Sequence, residues 1–211
     1  MTVVNEAVAQ QSSASTVFTI GHSNVTQEAF VALLKTHNIE VLVDVRSAPY
    51  SKYVPHFNGD ALKQAVLKAG IKYLYLGAEL GGRPRERGFY DEKGHVRYDL
   101  IAESPEFREG IERLLRGIRE HRVALMCNEE DPHECHRRLL VGRVLTARGV
   151  TVLHIRGDGR VQAEAELAEA ERKHAPPEVQ QEFGFVTKEK PEWKSTRSVS
   201  QARPPKLSSG R

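Results

Sequence analysis

Cys127 and Cys135 lie eight positions apart in a stretch that also holds Glu129, His136 and Arg137. A cysteine thiolate can act as a nucleophile, a redox centre or a metal ligand, and a neighbouring cation or a helix N-terminus favours its formation. The opposing reading is packing, since cysteine is among the most buried residue types. Asp131-Pro132-His133-Glu134 has the form of a capping box with proline at the first helical position, which predicts a helix from Pro132 to about Arg148. On that helix adjacent residues diverge by about 100°, so Cys135, His136 and Arg137 do not share a face. His136 then aligns with Leu139, Leu140 and Arg143 on the packed side, where a histidine ordinarily holds a backbone carbonyl. Arg137 points elsewhere, toward a carboxylate such as Glu129 or a ligand anion. The C-x7-C spacing lacks the tight pairing of zinc ribbons. Metal binding through both cysteines with His22 or His136 is therefore the weaker reading, and no residue is assigned as a metal ligand.

Proton transfer has four candidates. Asp44, Glu79 and Glu129 fall at or just past predicted strand ends, where partial burial raises a carboxyl pKa, and His22 follows the first strand. Arg46, Ser47, Ser51 and Lys52 offer donors to a phosphate or carboxylate, and Gly81-Gly82-Arg83 can bring backbone N–H groups close to it. The competing role for Arg46 is a structural pair with Asp44 or Glu79. There is neither a GxGxxG nor a P-loop, which argues against a standard dinucleotide or NTP site, and no cofactor is assigned.

Strand and helix signals alternate along the chain. Val17–Ile20, Val41–Val45, Ile71–Leu76, Val123–Met126 and Val150–Ile155 read as strands, several nearly all apolar, as strands covered on both faces are. Thr26 caps a first helix, Asp60 a second that stops at Gly70, and Ser104-Pro105 opens a third with Phe107, Ile111, Leu114, Leu115 and Ile118 as its stripe. Residues 83–103 form a long polar connection with a turn at 90–94. Residues 163–173 read as a solvated terminal helix. The pattern predicts one α/β domain over 17–185, a mainly parallel sheet flanked by helices in a Rossmann-like three-layer arrangement. Ligands of such folds bind outside the carboxyl ends of the strands, and that is where His22, Asp44, Arg46, Ser47, Glu79, Cys127 and Glu129 collect.

Several of these runs resemble a bacterial family, the domain of unknown function 488. The matching pieces are Thr19-Ile-Gly-His-Ser23, Asp44-Val-Arg-Ser47 with Pro49, Ser51, Pro55, Phe57 and Asn58, Leu80-Gly81-Gly82, and Cys127-Asn-Glu129 followed by Asp131-Pro132 and Cys135-His-Arg137. Lys52 stands where an arginine is common and Asn128 where a small residue is common. The resemblance implies an α/β fold and carries no established activity.

Composition bounds the rest. The formal net charge is +3, but residues 186–211 hold seven basic and two acidic side chains, so a tail of +5 leaves −2 for the remainder. The body is thus not a basic nucleic-acid-binding surface, and any weak attraction to nucleic acid belongs to the tail. Residues 1–16 read as a disordered leader without signal-peptide features, and 186–211 as a disordered basic tail. No apolar run suits a membrane span, and two cysteines do not make a secreted disulfide framework, which points to the cytoplasm. Three functions remain open: an enzyme acting on a small or nucleotide-like anionic substrate at the strand ends, a non-catalytic nucleotide- or nucleic-acid-binding module, and a Cys/His metal or redox protein. Neither the substrate nor the oligomeric state is legible.

Overall fold

The computed structural model describes residues 15–174 and 193–198. The expected leader falls almost wholly outside the described residues, as do 175–192 and 199–211. β1 (Thr16–Gly21), β2 (Val41–Asp44), β3 (Lys72–Tyr75), β4 (Val123–Cys127) and β5 (Thr151–Ile155) are parallel, and β6 (Val161–Ala163) runs antiparallel to β5. The order is β3-β2-β4-β1-β5-β6. The chain steps outward from β1 to β2 and β3, then returns to insert β4 beside β1. β5 follows on the far side. The reversal opens the sheet's carboxyl edge where β1, β2 and β4 end, the position at which such sheets hold ligands.

Both faces of the central strands are covered, and every residue of β2 and β4 is buried. Alternation sorts their side chains into two cores. Phe18, Ile20, Leu42, Ala124 and Met126 meet Phe30 and Leu34 of α1 (Gln27–Thr36) and Leu62 and Val66 of α2 (Gly59–Lys68). Val43, Leu125 and Cys127 face the other layer. That layer contains α3 (Gly77–Leu80), α4 (Tyr98–Glu103), α5 (Pro105–Glu120) and α6 (Arg143–Ala147). α7 (Glu164–His174) packs beside β5 and β6.

Local signals explain most boundaries. Thr26 accepts from Ala29 N at 3.2 Å and Ser104 from Phe107 N at 3.3 Å, each satisfying an otherwise orphaned helix amide. α5 buries Phe107, Ile111, Leu114 and Ile118 at helical spacing, each worth about 1.5–3 kcal/mol when fully withdrawn from water. α2 starts two residues earlier than a cap at Asp60 predicts: Asn58 is its N-cap residue, and its side chain is turned back to accept from Ser51 N at 2.6 Å. The polar connection at 83–103 is ordered, because Val96, Tyr98 and Ile101 are buried in the core that α5 shares. β6 is an edge strand that the sequence reading omits. It follows a turn at Asp158-Gly159, where Gly159 has φ 86° and the amide of Arg156 donates to Arg160 O at 2.9 Å.

Residues 193–198 lie within the span expected to be a disordered tail, and they pack against the domain. The Trp193 indole donates to Leu139 O at 2.8 Å and lies under Arg143, while Ser195 N donates to Val96 O at 2.9 Å. The chain's single tryptophan supplies an apolar anchor that the surrounding Lys, Ser and Arg do not advertise.

Candidate functional site

Cys127 ends β4 with its side chain toward the α5–α6 layer. Beyond it the chain crosses the end of β1 so closely that a Cβ on Gly21 would sit 1.7 Å from the Glu129 carbonyl oxygen, which only glycine avoids. Arg137 pins this crossing. Its side chain is fully buried, and its guanidinium donates to Glu129 O, to Glu130 O at 2.7 Å and to Thr19 Oγ1 at 3.3 Å. The expected assignment of Arg137 to a ligand anion or a carboxylate is corrected: its donors are spent on backbone carbonyls and a hydroxyl, within the protein.

The expected continuous helix from Pro132 is also corrected. Asp131 accepts from His133 N at 3.0 Å, but it caps only the 3-10 turn Pro132–Glu134. Cys135 is extended, with φ −114° and ψ 135°. Its carbonyl accepts from Arg138 N and Leu139 N, starting a separate π-helical stretch, Arg137–Gly142, that leads into α6. The argument that successive helical residues diverge therefore does not apply to Cys135, and Cys135 and His136 both come back to Cys127.

The donor atoms of Cys127, Cys135 and His136 all lie within 4.8 Å of one another. His136 Nδ1 is 3.6 Å from Cys127 Sγ, and Glu129 Oε2 is 3.1 Å from both sulfurs. Both thiols are buried, whereas Glu129 and His136 are half-buried and form the accessible side of the cluster. Burial opposes ionisation of Cys135, but its hydrogen bond with Cys127 and the charges of Arg137 and His136 hold it well below the ordinary thiol range. Cys127 moves the other way, raised by that same hydrogen bond, by burial and by the charge on Cys135. Burial and Cys135 raise Glu129.

Glycines close the wall behind it. His136 Nε2 donates to Val45 O at 2.9 Å, as the sequence reading expects of a histidine holding a backbone carbonyl. A Cβ on Gly82 would lie 2.4 Å from the His136 ring, and one on Gly81 would lie 2.5 Å from Ser47 Oγ. Ser47 Oγ accepts from Arg83 N at 2.9 Å and is thereby committed to holding this loop. Tyr98 is buried, and its phenol is raised by burial and by Cys135, Cys127 and Glu129, with Arg83 opposing.

A second polar cluster occupies the other face of the same strand ends. Asp44, fully buried, accepts from Arg46 Nε at 2.9 Å, from its terminal nitrogen at 2.6 Å, and from Tyr73 Oη at 2.8 Å. Arg46 reaches His22 Nε2 at 3.3 Å. The carboxamide of Asn128 is 2.8 Å from the same nitrogen, and His22 stacks on Phe57 at 4.2 Å between centroids. Burial, followed by the charge of Arg46 against a hydrogen bond to Ser23 O, leaves His22 below its ordinary pKa.

The expected anion cradle does not assemble. Arg46 is paired with Asp44, and Ser51 Oγ accepts from Tyr53 N and Val54 N. Lys52 is exposed over the Tyr53 ring. Glu79 pairs with Arg113 of α5 and serves packing between α3 and α5. Tyr98, Tyr73 and Asn128 are site neighbours that the sequence reading does not single out as functional, and Arg83 enters it only through its backbone amide. Asn128 sits inside the Cys127–Glu129 motif, but nothing in the sequence ties Tyr98 to the cysteines.

A family model described as "Domain of unknown function DUF488" matches residues 26–144. That span carries every residue of the thiol cluster. None of the curated proteins and no solved structure gives a match. No helix among the described residues is long and apolar enough to cross a membrane.

Proposed function

This chain belongs to the DUF488 family, and from the geometry of its strand-end cluster we propose that it is an enzyme in which Glu129 moves protons beside the paired thiols. The observation that carries this reading is the placement of one carboxylate oxygen 3.1 Å from two buried sulfurs, with its carboxylate half-buried rather than enclosed. A purely structural carboxylate would be expected to pair with a cation. Glu129 instead faces two sulfurs, and the guanidinium of Arg137 is bound to its backbone carbonyl, not to its carboxylate. Carboxylates tuned by burial and by a neighbouring charge are the usual agents of general acid–base catalysis.

The substrate class is a small molecule bearing an anionic group. Arg83 supports this: it is exposed, it directly follows Gly82, whose backbone lies against the His136 ring, and it has no carboxylate partner among the described residues. It takes over the role that Arg46 and Arg137, both committed internally, do not fill. A panel of phosphate- and carboxylate-bearing esters, amides and amines, nucleotides included, tests the reading. Glu129→Gln should lower kcat by roughly 10²–10⁴-fold, and Arg83→Ala should act mainly on KM. Arg197→Ala, at an exposed pair with Glu134, should change neither. Turnover by the wild type that survives Glu129→Gln removes Glu129 from the chemistry. Saturable ligand binding without turnover across the panel favours a binding module instead.

A further inference from the structure

We propose that Cys127, Cys135 and His136 hold a zinc-class divalent metal ion, with Glu129 beside the three donors and not among them. This inference deepens the proposed function by naming the cofactor of the same site.

Three observations carry it. First, the donor set is chemically coherent: two thiolates and an imidazole suit zinc, and three protein ligands are the number that leaves a catalytic zinc an open position. Second, the spacing fits. Zinc bonds of about 2.3 Å to sulfur and about 2.0–2.1 Å to nitrogen, meeting at a tetrahedral angle, place sulfur and nitrogen about 3.5–3.6 Å apart. His136 Nδ1 lies 3.6 Å from Cys127 Sγ, and all three donor atoms fall within 4.8 Å of one another. An ordinary core histidine has no need to aim its free nitrogen at two sulfurs. Third, the histidine is oriented from behind. Its Nε2–H donates to Val45 O at 2.9 Å, which leaves Nδ1 as the nitrogen facing the sulfurs and, in the neutral ring, puts the lone pair there, the arrangement that metal-ligating histidines obtain from their outer partners. Gly82 adds a steric lock, because its bare Cα lets the backbone lie against that ring.

In the linear sequence this set is only the weaker reading, because eight positions separate the cysteines. The turn at Pro132–Glu134 and the extended Cys135 fold that distance away, so residues from a strand end and from the approach to a helix converge. Binding balances simply. Each thiol that is still protonated releases its proton to solvent as its metal–sulfur bond forms, and the histidine binds as the neutral ring. Affinity should therefore rise with pH.

The test uses the full chain purified without a metal-affinity tag. Elemental analysis is expected to find about one zinc-class ion per chain, and cobalt reconstitution to give an intense sulfur-to-cobalt charge-transfer absorption. Cys135→Ser and His136→Ala should each lose the ion, whereas Glu129→Gln should keep it. If a ligand variant fails to fold, the wild type still decides the matter: metal should protect both thiols from iodoacetamide, and a chelator should restore their reactivity. Substoichiometric metal with no charge-transfer band, or a Cys127–Cys135 disulfide in mass mapping of the native protein, overturns the proposal. The two readings separate cleanly. Full metal occupancy with unimpaired turnover in Glu129→Gln removes the acid–base role and leaves the metal. Turnover lost in Glu129→Gln in a protein that binds no metal does the reverse.

Discussion

Arg137→Lys isolates what holds the site's backbone in place. The wild-type guanidinium uses three nitrogens on three acceptors: Glu129 O, Glu130 O and Thr19 Oγ1. A lysine keeps the charge but brings one nitrogen in place of a planar fork. It can hold one of the two carbonyls and leaves the other, together with the threonine hydroxyl. Both lost bonds are made by a charged group, worth about 1.5–3 kcal/mol each, and the lower end applies because lysine keeps the charge, so the loss should come to about 3 kcal/mol. For a chain of 211 residues that corresponds to a fall of roughly 6–12 °C in Tm. Urea unfolding followed by far-ultraviolet circular dichroism should show the midpoint move with the slope unchanged. The freed crossing should also expose the thiols, so alkylation of Cys127 and Cys135 in the native protein should accelerate. Arg160→Lys, at an exposed pair with Asp158, serves as the control and should stay within about 0.5 kcal/mol of wild type. An Arg137→Lys protein as stable as that control would refute the reasoning.

Three further perturbations probe the surroundings. Asp44→Asn leaves the buried Arg46 cation without its counter-charge and should cost about 3–5 kcal/mol in chemical denaturation. Gly82→Ala puts a methyl 2.4 Å from the His136 ring, so it should cost about 1–3 kcal/mol and break the His136–Val45 hydrogen bond, visible in the imidazole nitrogen shifts by NMR. Stability should also fall on acidification. Burial holds His154 below its ordinary 6.5, and Glu164 lies below its ordinary 4.5 because His154 and Arg138 outweigh its burial. Both depressed values contribute stability that is present above the unfolded pKa and lost as pH drops, first below about 6.5 and then below about 4.5. His154→Gln should flatten the upper part of that decline in urea midpoints measured between pH 7 and pH 5.

The alternation of strands and helices was readable because it is written in local periodicity, and the gathering of polar residues at strand ends follows from that topology alone. Thr26 and Ser104 cap their helices as their types suggest, since a cap is a contact across three residues. What the sequence concealed depends on contacts far apart in the chain. A buried arginine at position 137 looks like a ligand for an anion until the strand-end carbonyls it serves are seen. Cys135 looks helical because Asp131 does cap the turn that follows it, yet that cap closes only one turn. The demand to bury Cys135 against Cys127 and Arg137 against Thr19 overrides local propensity there. Gly21, Gly81 and Gly82 mark the same lesson from the other side, as their role is set by backbone or rings that approach from elsewhere. Arg46 illustrates a reading the sequence had balanced between two outcomes. Its proximity to Asp44, two residues away, decided in favour of the internal pair.

The most direct measurement of the central claim is X-ray absorption at the metal edge of the tag-free protein. The geometry predicts two sulfur scatterers at about 2.3 Å and nitrogen or oxygen scatterers at about 2.0–2.1 Å, with the sulfur contribution reduced in Cys135→Ser. A spectrum fitted by nitrogen and oxygen alone, or a protein with no metal edge to measure, would contradict it.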